Sequence, residues 1–230
     1  MATFMDIISG IVIGGMLLLI ALTALGTGMQ TSVNHTAAEI VQLNLARSSQ
    51  IMEMDLDKTG FGIPEENRSQ VFQSATSSYI KVLAHLNREA QTQIPVPGVS
   101  VFDNIADTLE YSITLDDTIT IGDSTLSIYK ITRIIKIASV ANDSSVIGKI
   151  ANNNVFRFLS QTGKQTSVPA EIRILEINLR AFNPQVILSP ELVMANPQSG
   201  DLEIRKRELQ HLLRGSYNRQ SRITLRNLQG

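Results

Sequence analysis

The sequence predicts an α+β protein: a long N-terminal helix packed on a C-terminal domain of antiparallel strands. Three observations carry this. Residues Ile7–Leu25 (IISGIVIGGMLLLIALTAL) form a charge-free apolar run. At about 1.5 Å per residue it is long enough to cross a bilayer's hydrocarbon core as a helix. Helical spacing of apolar residues then continues, without a proline, to Gly60. Most of the remaining chain alternates between apolar and polar residues, the period of half-buried strands.

The helix is expected to cover residues 1–60, with 7–25 spanning a membrane or filling an assembly core and 29–58 amphipathic. Val33, Ala37, Ile40, Val41, Leu45, Met52 and Leu56 recur at spacings of three and four, which reads as one stripe. Gly60 and Pro64 end the helix, which should be roughly fifty residues and roughly 75–80 Å long. Gly14–Gly15 and Gly26–Gly28 are points of close packing or local opening. Residues 61–230 make the globular domain. Within it a second helix is expected around Ser69–Ala90, buried through Tyr79, Val82, Leu83 and Leu86, and ended by Ile94–Gly98 (IPVPG).

Strands make up the rest. Thr108–Thr114 and Thr118–Ile121 alternate, joined by Asp116–Asp117, and Thr125–Ala138 is long and rich in β-branched residues. Val155–Leu159 precedes a turn at Thr162–Gly163. Ala170–Phe182 alternates through Ile172, Ile174, Ile177 and Leu179, with Leu175 out of phase and therefore a bulge. Asn183–Pro184 ends that strand, Ser189–Asp201 reads as a loop, Leu202–Arg214 as a short element, and Ser221–Leu225 as a last strand.

Composition excludes several functions. With 230 residues, a formal net charge of −1 and no cysteine, the chain has no bulk attraction to nucleic acid and no disulfides or thiolate metal sites. The segment before the apolar run carries no basic residue, and the run is too long for a signal-peptide core, so it reads as a retained helix. His35, His85 and His211 are isolated, and no nucleophile–base, zinc or phosphate-loop motif is found, so no enzyme is expected. Asp55, Asp57, Thr59, Gly60 and Glu66 match positions 1, 3, 5, 6 and 12 of a calcium loop. The same residues also make a helix end and turn; calcium is the one cofactor the pattern suggests. Arginines at 205, 207, 214, 219, 222 and 226 make the C-terminal region basic, either a solvated face or a contact for acidic patches such as Glu53–Asp57 or Glu65–Glu66 of a neighbouring copy.

Asp6 opens the apolar run, and the first Lys or Arg in the chain is Arg47. A carboxylate at the lip of an apolar segment is costly to desolvate without a cation. The nearest is an α-amino group, the chain's own or a neighbour's, which points to self-assembly. The other reading is a hydrated helix start at the membrane interface.

This layout resembles the type IV pilin-like proteins, especially larger minor pilins and pseudopilins. Four places carry the resemblance: ATFMD, which puts Asp6 fifth after Met1; the helix exit QIMEMDLDKTGFGIP; the strands VFRFLSQTG and AEIRILEINLRAF; and the C-terminal SRITLRNLQ. Asp6 stands where that family has glutamate, and no basic leader ending in glycine precedes Ala2. The resemblance implies a pilin-like fold and a structural subunit of a type IV pilus-like filament, with a bundle of N-terminal helices at its core. Its assembly residues would be Asp6, Ile7, Ile11, Gly14, Gly15, Leu18 and Leu22. The implied partners are copies of the chain in a helical filament, other pilin-like subunits and an inner-membrane assembly platform. The implied location is the bacterial envelope: the inner membrane before assembly, an extracellular filament after. The alternatives are a secretion-system pseudopilin and a monomeric single-pass envelope protein with a partner-binding β domain.

Overall fold

The computed structural model describes residues 2–86, 105–121, 124–137, 141–182 and 217–228. Its elements are one long helix, eight strands and short 3-10 turns. The chain divides into two compact units, Met1–Val41 and Gln42–Gly230.

Helix α1 runs unbroken over Ala2–Leu56, 55 residues. No proline interrupts it, so every backbone donor after the first turn has its partner four residues back. It ends where Gly60 and Gly62 take φ of 75° and 72°, a left-handed conformation that glycine adopts without strain. Asn227 secures this exit: its Nδ2 donates to the carbonyls of Asp57 and Thr59, each at 3.2 Å. The helix exit and the C-terminal turn are thus bonded to each other.

In the second unit, β1 (Phe72–Ala75), β2 (Tyr79–Ala84), β3 (Asp107–Ile121), β4 (Ser124–Ile137) and β5 (Ala141–Ile150) form a five-stranded sheet in that order. β6 (Phe156–Leu159), β7 (Ile174–Ala181) and β8 (Tyr217–Thr224) form a three-stranded sheet. Every neighbouring pair is antiparallel. One sheet face is buried: Ile80 and Val82 of β2, Leu109, Tyr111 and Ile113 of β3, and Ile131, Ile135 and Ile137 of β4. Leu45, Met52 and Leu56 of α1 are buried in the same unit. Ser48 Oγ donates to the Ile147 carbonyl of β5 at 3.0 Å, so the helix end lies close on the sheet. Gly148 makes this approach feasible, because a methyl there would sit 2.5 Å from Ser48 Oγ. The two sheets meet through Ser77, whose carbonyl accepts from Val155 and Phe156, and through Phe72 and Phe158, stacked edge to face at 6.1 Å.

Several expectations are corrected. The helix expected around Ser69–Ala90 is absent over its described part: a 3-10 turn at Glu65–Gln70 leads into strands β1 and β2. Tyr79–Ala84 alternates strictly, burying Ile80, Val82 and Ala84, so the period is two and not 3.6. The expected break at Asp116–Asp117 is a bulge inside one continuous strand, the register with β4 shifting between Leu115 and Asp117. β5 was not foreseen; its mostly polar sequence is an edge strand with one ladder to satisfy. In β7 the register is regular, and Leu175, Ile177, Leu179 and Ala181 form the buried face. Ile174 is the residue out of phase, not Leu175. The apolar stripe of α1 also divides in two, because Val33 and Ile40 are exposed while Leu45, Met52 and Leu56 are buried. Twelve residues at about 100° each put Ile40 about 120° around the helix from Met52. The expectations for Ile94–Gly98, Asn183–Pro184, Ser189–Asp201, Leu202–Arg214 and His211 lie outside the described residues.

Candidate assembly surface

The N-terminal part of α1 holds a surface of a kind that isolated soluble proteins do not keep in water. Ile11, Leu18, Leu22 and Leu25 are exposed, Ile11 at 69% and Leu25 at 66%. This one helix is long and apolar enough to cross a membrane. A methyl added at Gly10, Gly14 or Gly15 would touch nothing, so these glycines leave a shallow strip where another backbone can come close. Asp6 and Ile7 lie in the first turns of α1; their side chains are outside the described part.

Four threonine hydroxyls on this helix need no outside partner. Thr23 donates to the Leu19 carbonyl at 2.8 Å, Thr27 to Thr23 at 2.9 Å, and Thr31 to Thr27 at 2.9 Å. Thr36 repeats the bond to Ser32 at 3.0 Å. Each bond runs four residues back, so the donor is satisfied within the helix and can enter an apolar environment without the cost of an unpaired group. The surface can therefore face lipid or other helices as it stands.

A second constellation lies in the other unit. Asp55, in the last turn of α1, accepts from Arg133 Nε at 2.5 Å, from Arg133 Nη2 at 3.1 Å, and from the Tyr111 hydroxyl at 2.5 Å. Asp55 and Tyr111 are buried, and the forked guanidinium satisfies both carboxylate oxygens. Burial and the neighbouring Asp55 charge raise the Tyr111 hydroxyl well above its usual pKa. Burial works against the Arg133 charge, but the bond to Asp55 outweighs it and holds the guanidinium above its ordinary value. Lys58 is lowered by burial, which its attraction to Asp55 only partly offsets.

Of the calcium-loop residues, Asp55 is thus held by an internal cation, while Asp57 and Glu66 are exposed and Thr59 is buried. Among the described residues, no three His, Asp or Glu side chains come together as a metal-sized group. The sequence reading missed Arg133 and Tyr111. A signal was available: Ile131, Arg133 and Ile135 share the buried phase of β4, and a charge on that phase demands a partner.

On the opposite face of the sheet, Glu110 meets Lys136 Nζ at 2.8 Å, Lys81 Nζ at 3.5 Å and the Tyr79 hydroxyl at 3.1 Å. Burial pushes the Glu110 carboxyl up, but the bonds from Lys136 and Tyr79 and the two lysine charges prevail and hold it below its ordinary range. Asp116, the extra residue of the β3 bulge, is lowered by the bond from Lys149 at 2.7 Å and, less, by Lys130. These pairs tie β2, β3, β4 and β5 together. Compared with protein-family models, curated proteins and solved structures, the chain matches none.

Proposed function

We propose that this chain is a structural, non-catalytic subunit of a pilus-like filament, held in a membrane before assembly and joined to its neighbours through the N-terminal half of α1. The observation that carries the reading is the exposed, charge-free apolar surface of Ile8–Leu25, whose Thr23 hydroxyl is bonded within the helix. Such a surface is stable only under lipid or under other apolar helices. Asp6 adds the second support: a carboxylate heading this run is accommodated in an assembly by the α-amino group of a neighbour. The resemblance to pilin-like proteins supplies the filament itself, and with it the partners and location named above.

The test is electron microscopy of sheared surface material, with mass spectrometry of its subunits and their N-termini. Recovery of this chain as a fibre component is expected. Intact protein confined to the membrane fraction would overturn the surface filament in favour of a secretion stub or a monomeric anchor. Asp6→Lys should abolish fibres while leaving membrane insertion intact. Normal fibres from that variant would remove Asp6 from the assembly mechanism.

A further inference from the structure

A cavity of about 510 Å³ lies beside the exit of α1, wholly within the second unit. That size is in the range of small-molecule sites. Three stretches of chain converge on it: Ile63 and Pro64 after the helix, Asn67 and Gln70 of the 3-10 turn, and Leu83 and His85 at the end of β2. Their chemistry divides in two. Ile63, Pro64 and Leu83 present carbon, whereas each amide presents a donor and an acceptor in one plane and His85 presents an imidazole. No Asp, Glu, Lys or Arg is among the described residues that line it. His85 is 7% exposed, and among the described residues its Nδ1 has no hydrogen-bond partner. A buried polar atom left unpaired calls for a partner from outside the fold. The backbone of this wall, by contrast, is already used. Leu83 donates its N–H to the Val71 carbonyl and accepts from Gly60, and His85 donates to the Phe61 carbonyl, each at 2.9 Å.

We propose that this cavity binds a neutral saccharide. A charged ligand would be buried there without a counter-charge. A wholly apolar one would cover two amides and an imidazole without bonding them. An extended peptide binds through its main chain to a free strand edge, and the β2 wall offers none. A sugar ring fits both kinds of wall. Its hydroxyls, each a donor and an acceptor, meet Asn67, Gln70 and His85, while its C–H faces lie on Ile63, Pro64 and Leu83. The site stands apart from α1's apolar run, so it does not depend on the filament.

The test is saturation-transfer NMR on the full chain in dodecylphosphocholine micelles, a detergent with no sugar headgroup. The probes are glucose, galactose, mannose, N-acetylglucosamine, cellobiose and chitobiose, with glucuronate and triglycine as charged and peptide controls. Transfer to at least one neutral sugar is expected, and none to the controls. His85→Phe, which keeps a ring of similar shape, and Gln70→Ala, at an exposed position, should each weaken that sugar's binding roughly tenfold, the loss of one hydrogen bond. Ala106→Leu, which fills the cavity from its lining, should abolish it. The unfolding midpoint of each variant separates loss of the site from loss of the fold, and Asn67→Ala, also exposed, replaces any variant that fails to fold. No transfer to any neutral sugar, unchanged transfer in Ala106→Leu, or a preference for glucuronate or triglycine would overturn the site. Sugar binding by a chain that forms no fibres would keep the site and sink the filament; fibres from a chain that binds no sugar would do the reverse.

Discussion

Asp55 shows how one side chain decides whether the end of α1 is held. It sits in the last helical turn and accepts from Arg133 and Tyr111 on adjacent strands, so its loss strands a largely buried guanidinium. Asp55→Asn should therefore destabilise the second unit by about 3–5 kcal/mol, measured by denaturant unfolding of the full chain in detergent. Asp55→Leu with Arg133→Met should cost less than either substitution alone, because the uncompensated charge is gone. Glu110 gives a pH-dependent case. Its folded pKa lies below the ordinary value, so the folded state favours the ionised form. That stabilisation is complete above the unfolded pKa and is lost as pH falls through the folded one. Glu110→Gln should lower stability near neutral pH and flatten the loss of stability on the acid side. An unchanged acid limb in the unfolding midpoint would exclude Glu110 as a source. Neither network was legible from residue types alone, because each pairs residues far apart in the chain. Tyr111 and Arg133 were visible only as polar interruptions of a buried phase.

At the scale of elements, local pattern was most reliable where the run was long and its period unambiguous. Strands β4 and β6 fall within a residue of their expected bounds, and helix α1, expected over 1–60, ends four residues early at Leu56, since hydrophobic period and turn residues agree there. The segment at 79–84 was misread because a six-residue apolar stretch fits both periods, and pairing with β3 decides for the strand. β5 was missed because its partner and its close approach to α1, not its own hydrophobicity, make it a strand. That approach is testable. Gly148→Ala puts a methyl on Ser48 Oγ and should destabilise by about 1–3 kcal/mol, as overpacking does. Ser48→Ala in the same chain should recover most of that loss, since it removes the atom that is struck, the lost bond to the Ile147 carbonyl keeping the recovery incomplete. Failure of the double variant to recover, in the same unfolding assay, would show that the strain lies in the backbone.

The whole molecule combines a unit with a buried core and one without. Among the described residues of the second unit, Leu45, Met52 and Leu56 of α1 and one face of the strands are buried, and the buried Asp55 charge is paired. In residues 8–33 an apolar helix surface is open, the surface that the proposed function sets under lipid or other subunits. Removal of residues 2–25 should therefore leave a chain that stays in the supernatant after carbonate extraction, where the full chain stays in the pellet. A pellet-bound truncation would place a second membrane contact in the remainder. The sequence by itself determined the long helix, its apolar first half, the absence of charge after Asp6 and the strand-rich remainder. These are properties of local period and composition, which neighbours in the chain specify. Only the tertiary structure decided which face of α1 is used: Leu45, Met52 and Leu56 are buried while Val33, Ile40 and Leu43 remain exposed. The same residue types lie on both sides of the helix, and which side is covered depends on where the sheet packs, which no local pattern encodes.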